Sequence, residues 1–253
     1  MRKCAFTFSM LLTGFALFLP LVASADTPAD SLWLRAVNLS EESKDLVPGT
    51  IESYMQETDK HGKPKDEDKY HHSWGKLSLR DDGEITYETV KVIKDGEDIT
   101  EEEQAKDKEK QEEEDGKDSD GFDPEEHSPF DAETQDRLSI ERLDETETTD
   151  GKDLAVYSFI KHPAEEDDEE VTGKAWFDIA TGVPVKIEYT TDPLPKRVKR
   201  MVTTMEYVYS APDTLVVGKM IMEATGGILF IKKHFHAEMT FADHWRTPEG
   251  YDE

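Results

Sequence analysis

The side chains best equipped for chemistry are the imidazoles of His234 and His236, whose two-residue spacing would put them on one face of a strand, with His71, His72 and His244 as further donors. Zinc requires at least three converging ligands and a shell of groups to orient them. The pair alone therefore assigns no metal, and histidines on the wet face of a strand account for it equally. Asp115-Gly-Lys-Asp118-Ser-Asp120-Gly121 packs carboxylates ahead of a glycine, as a calcium loop does. The register fails: with Gly121 in the turn, Gly116 takes the first ligand position and His127 that of the bidentate glutamate. Weak calcium binding by an acidic loop is what stays open there. No Gly-x-Ser-x-Gly elbow, His-Glu-x-x-His pair or glycine-rich phosphate loop occurs. No residue is thus assigned a catalytic role, no enzyme activity is expected, and no cofactor is implied.

Two other groups could bind without reacting. Lys196, Arg197, Lys199 and Arg200, following Pro193 and Pro195, form the one basic cluster of an acidic chain. They read either as a connector neutralised by the chain's own acidic loops or as a rim that meets an anionic headgroup or an acidic partner. The second group is rich in methionine. Thioether side chains are flexible and polarizable, which suits an irregular core as well as a cavity for variable apolar ligands. In the cavity reading the lining is Met205, Tyr207, Met220, Met222, Leu229, Ile231, Phe235 and Met239.

A strand meander must position these residues. Val183, Val185, Ile187 and Tyr189 alternate with polar positions, Met201, Thr203, Met205, Tyr207 and Tyr209 share a face, and so do Met220, Met222 and Ala224. The last strand is expected to run from Leu229 to Phe241, greasy on one side and mixed on the other. Thr181-Gly182, Pro212-Asp213 and Gly226-Gly227 supply the turns. Upstream, strands are expected over 51–58, 72–80, 84–94, 137–144 and 153–161, with Asp81-Asp82-Gly83 and Asp150-Gly151 as hairpin turns. A short helix is predicted over 30–38, with Leu32, Ala36 and Leu39 at helical spacing. Residues 101–126 are nearly all Glu, Asp, Lys and Gln with no apolar face, so 95–128 is expected to be a disordered acidic insertion that flickers at most as a charged helix. The fold class is mainly β: about ten strands in a curved or partly closed antiparallel sheet.

Arg2-Lys3, the apolar run 10–22 and Ala23-Ser-Ala25 form a secretory leader over 1–25, leaving 26–253 as a single domain expected in the periplasm, with secretion as the alternative. Cys4 falls within that leader, so the exported domain is held by its core alone. The chain carries 30 Lys+Arg against 58 Asp+Glu, a net charge of −28. That charge excludes nucleic acid as a direct partner, because a phosphate backbone needs a basic footprint.

Trp176-Phe-Asp-Ile-Ala-Thr-Gly-Val-Pro-Val-Lys186, the strand through Met205 and Gly226-Gly-Ile-Leu-Phe-Ile-Lys232, behind a leader and a short helix, resemble the outer-membrane lipoprotein-sorting proteins of the LolA and LolB type. The resemblance is strongest over 130–245. It implies an unclosed antiparallel half-barrel that cradles acyl chains, with helices plugging the opening. The implied activity is non-covalent carriage of a lipid or acylated protein across the periplasm, with a membrane-associated docking partner. The residues alone also allow an exported acidic scaffold whose sheet is filled by its own side chains.

Overall fold

The computed structural model describes residues 31–80, 85–113, 127–165, 168–209, 214–227 and 232–248. The leader and the turns at Asp81-Asp82-Gly83 and Pro212-Asp213 lie outside them. Helix α1 (Ser31–Ser43) is followed by β1 (Leu46–Val47), β2 (Thr50–Thr58), β3 (Tyr70–Leu79), β4 (Ile85–Lys94), β5 (Glu97–Asp98) and helix α2 (Thr100–Glu113). A 3-10 turn (Ala132–Arg137) then leads into β6 (Leu138–Thr149), β7 (Lys152–Lys161), β8 (Glu170–Asp178) and β9 (Pro184–Asp192). The chain closes with β10 (Val198–Val208), β11 (Val216–Gly226), β12 (Lys233–Ala242) and β13 (Trp245–Arg246).

Eleven strands form one antiparallel sheet in the order β5-β4-β3-β2-β12-β11-β10-β9-β8-β7-β6. The outer strands β5 and β6 do not pair with each other, so the half-barrel stays unclosed. Both hairpin turns that are described beside the outer strands obey backbone sterics. Asp150 and Gly151, between β6 and β7, have φ of 52° and 76°, and Asp95 and Gly96, between β4 and β5, have 52° and 82°. Two left-handed residues in succession give the turn whose twist matches paired strands, and Asp-Gly is the pair that adopts it at least cost. A second sheet of two strands, β1 with β13, ties the two ends of the described chain together. There Arg246 donates to the Asp45 carboxylate and to the Glu42 carbonyl.

Helix α1 lies across the inner face of β7 to β11. Its buried face is set by Trp33, Ala36, Val37 and Ser40, at the spacing of an amphipathic helix. Ala36 and Leu39 of the predicted stripe are buried and Leu32 packs partly against the core, but the centre of the buried face is Trp33, 1% exposed, which the stripe did not include. Its indole stands 5.2 Å from the ring of Phe130, 5.8 Å from Tyr157, 5.9 Å from Phe177 and 6.3 Å from Phe159. Its Nε1 donates to Gln135 Oε1 at 3.0 Å, while Gln135 Nε2 donates to the carbonyls of Pro129 and Asp131. The buried donor is thereby satisfied, as an apolar core requires.

The acidic insertion corrects the expectation of disorder over its first half. Residues 100–113 form α2, which packs on β4; residues 114–126 lie outside the described region. Composition reported only the missing apolar face, whereas this helix is held by polar contacts. Glu101, Glu102 and Glu103 occupy its first turn, where the helix dipole favours negative charge. Asp98 accepts from the backbone N–H and hydroxyl of Thr100. Lys106 bridges Glu102 and Glu103, and those hydrogen bonds, Glu102 first, raise its ammonium above the ordinary lysine value. Against the sheet, Gln104 Nε2 donates to the Thr89 carbonyl at 2.7 Å and Thr89 Oγ1 donates to Asp107 at 2.6 Å.

Candidate functional site

In an antiparallel sheet, residues directly opposite one another share a face, so the register defines rows of side chains across the strands. On the face that carries α1, one row runs Ser53, Met239, Met220, Met205 and Ile187. The next runs His71, Met55, Ala237, Met222, Thr203 and Tyr189. The third runs Glu57, Phe235, Ala224 and Met201. Val92 of β4 lies opposite Ser73 and so opposite Ser53, and Thr89, which binds α2, lies opposite Gly75 and so opposite Ile51. Both helices therefore sit on the same face, α1 over the later strands and α2 over β4.

The strip between them is where the two inner rows remain accessible. Met55 is 46% exposed, and Met201, Met222, Ala224, Phe235 and Ala237 are all partly exposed. Four strands at about 4.8 Å spacing make it about 14 Å across. The first row is different. Met205 and Met220, 1% and 5% exposed, belong to the core around Trp33, and Tyr207 and Met239 pack against that core. Tyr207 also shares a hydrogen bond with Ser128 Oγ at 3.2 Å. This corrects the predicted lining, because Met205 and Met220 are closed into the core cluster that α1 joins. Of the eight residues, Met222 and Phe235 stay on the open strip, Met239 stands at its edge, and Leu229 and Ile231 lie outside the described residues. Met55 escaped notice, although the alternation Ile51, Ser53, Met55 in the sequence placed it on the same face.

The basic cluster comes to the same end of this strip. Val198 lies opposite Gly226 and Met201 opposite Ala224, while Gly227 N donates to the Arg197 carbonyl at 3.1 Å, binding the two loops together. A Cβ on Gly226 would stand 2.8 Å from that carbonyl, which is why the crossing needs glycine. Lys196, Arg197, Lys199 and Arg200 are exposed, and none has a carboxylate partner among the described residues, so the connector is not neutralised by them. Lys233 joins this end of the strip, with its Nζ 5.9 Å from the Phe235 ring and 2.8 Å from Glu57.

Glu57 also receives Lys65, at 2.6 Å, which pins residues 59–69 to β2. The hydrogen bond from Lys233, followed by that from Lys65, holds the Glu57 carboxyl below the ordinary glutamate range. A depressed carboxyl contributes stability that is full above the unfolded value, near 4.3, and is lost as pH falls through the folded one. Acidification through the carboxylate range is therefore expected to lower the exchange protection of the Lys65 amide, which donates to the Glu57 carbonyl at 3.1 Å. A protection factor that stays constant from pH 6 to pH 3 would exclude this role.

Three of the histidines are engaged on the opposite face, while His71 belongs to the inner row opposite Met55 and His244 lies between β12 and β13. His236 Nδ1 lies 2.9 Å from Glu223, His234 Nδ1 lies 3.0 Å from Thr225 Oγ1, and His72 Nε2 lies 2.7 Å from Glu52. Among the described residues no three metal-capable side chains converge. The calcium-like loop at 115–121 lies outside them. A polar cleft of about 580 Å3 opens elsewhere, beside the ends of β7 and β8, where Arg137, Lys161 and His162 face Asp168 and Glu169. Its charges oppose one another within the wall, and His162 is already bonded to Glu170 and Ser139.

No known protein family and no curated protein matches the sequence. Among the solved structures that align with the fold are MucB in complex with MucA(peri), 9% identical with a TM-score of 0.21, and the Pseudomonas aeruginosa MucA/MucB complex, 10% identical with a TM-score of 0.20. Each alignment covers 87% of this chain and 94% of the other. A likeness of that size carries no argument, and the fold described above stands on the strand order and register alone.

Proposed function

We infer that this chain is an exported, non-enzymatic binding protein that holds an acyl chain or comparable apolar ligand on the inner face of the half-barrel. The observation that carries the reading is the strip of Met55, Met222, Phe235 and Ala237, left partly exposed between α1 and α2 on a face whose other half is closed core. Removing a hydrocarbon chain from water contributes about 0.8 kcal/mol per CH2, so a shallow trough gives useful affinity. Methionine adapts its shape to ligands of different length. The resemblance of the 176–232 hairpins to lipoprotein-sorting proteins points to the same use. Among the described residues no helix is long and apolar enough to cross a membrane.

Titration of the full chain with a fluorescent fatty acid tests the reading. Saturable binding is expected, weakened at least tenfold by Met222→Lys or Phe235→Lys. A lysine at Ile221, on the opposite face, is expected to leave it unchanged. Absence of a fluorescence response, together with native protein whose organic extract holds no lipid, would overturn the assignment.

A further inference from the structure

We propose that the loop 193–200, with Lys232 beside it, forms a docking surface for an anionic lipid bilayer, fixing the half-barrel with the open end of its apolar strip toward the membrane. The surface is built from two elements that the register holds side by side. Lys196, Arg197, Lys199 and Arg200 enter β10, and Lys232 enters β12. All five are exposed, and none has a carboxylate within ion-pair distance among the described residues. The neighbouring Lys233 spends its charge on Glu57, and Asp192 at the end of β9 is the acid next along the chain. In a protein with 58 acidic side chains, five adjacent cations without such partners are available to an external anion.

The backbone adds an independent observation. Val198 N donates to the Pro195 carbonyl at 2.9 Å, closing a four-residue turn, and Arg197 occupies its third position with φ of 76°. That position favours glycine, because an L side chain there meets its own backbone. A guanidinium is thus carried where it is sterically disfavoured, at the tip of the loop.

An anionic bilayer suits this surface better than a folded acidic partner. The cations sit at the starts of β10 and β12, which flank β11, and a sheet of mobile headgroups can adjust to charges spread over neighbouring strands. The surrounding molecule also sets the ionic conditions. At about 0.1 M salt the screening length is about 10 Å, so the membrane senses the local cations; near 0.01 M it grows to about 30 Å and the acidic body is felt too. Binding is therefore expected to pass through a maximum with ionic strength, whereas a simple polybasic segment binds more tightly the lower the salt.

The inference does not require an apolar ligand. Sedimentation of the full chain with phosphatidylcholine vesicles, with and without phosphatidylglycerol, tests it at about 0.1 M salt. Binding is expected only with the anionic lipid and should fall at least tenfold in K196E/R197E/K199E/R200E, whose circular dichroism stays that of the wild type. Arg197→Gly, which suits the turn, should weaken vesicle binding without lowering the unfolding midpoint. Vesicle binding that is absent, or equal in the quadruple variant, overturns the proposal. So does patch-dependent capture by an acidic polypeptide without vesicle binding, which would make the surface a protein site. Loss of fatty-acid binding alone would count against the apolar strip and leave the docking surface standing.

Discussion

Trp33→Ala is expected to lower the stability of this protein by about 3–5 kcal/mol, the usual cost of emptying a well-packed aromatic site. The indole joins α1 to Phe130 from the connection before β6, to Tyr157 and Phe159 on β7, and to Phe177 on β8. None of these rings can collapse far into the space, because all four are almost fully buried within the same cluster. The truncation also leaves Gln135 Oε1 without its donor. Trp33→Phe keeps most of the packing and loses the hydrogen bond, so it should cost distinctly less. Urea unfolding of the two variants measures both quantities; equal midpoints for Trp33→Ala and the wild type would mean that α1 is not what closes the inner face.

The second large effect is expected from Gly173→Val, about 3 kcal/mol of destabilisation from overpacking. Gly173 lies on β8 opposite Phe159 and Tyr189. A Cβ there would run into the Glu188 carbonyl and stand 2.7 Å from the Phe159 ring. One obstacle is backbone held in the β8–β9 ladder and the other is a core ring, so neither can step aside. Gly75 makes the comparison. The nearest atoms to a Cβ at Gly75 are the outer end of the Tyr87 ring, a side chain 43% exposed, so Gly75→Ala should be milder. Unfolding midpoints that place the two variants in the reverse order would contradict this account of which neighbours can yield.

The strands were legible because their information is local. Period-two alternation assigned faces correctly for Met205, Met220 and Met222, and Asp150-Gly151 and Thr181-Gly182 marked turns where glycine does adopt positive φ. Alternation says which face a side chain occupies, not what lies over that face. Met205 and Met222 read identically in the sequence, yet one is sealed in the core and the other is partly exposed. The difference is made by the core cluster that Met205 joins, whose other members, Trp33 and Phe130 among them, come from distant parts of the chain. Helix α2 was illegible for the converse reason: its attachment rests on Gln104 and Asp107 reaching Thr89, and isolated polar pairs leave no periodic trace. The basic cluster was plain in composition, but its lack of carboxylate partners among the described residues depends on where the loops fall.

The seam of the sheet joins β2, the first long strand, to β12, the last. That pairing is unavailable until almost the entire polypeptide has been made, and α1 must wait for surfaces that are synthesised long after it. Pairings so distant in sequence fold slowly. The β2–β3–β4 meander can pair locally, but the other edge of β2 and the buried face of α1 wait for strands made much later, and the seam of the half-barrel closes as a late event in folding.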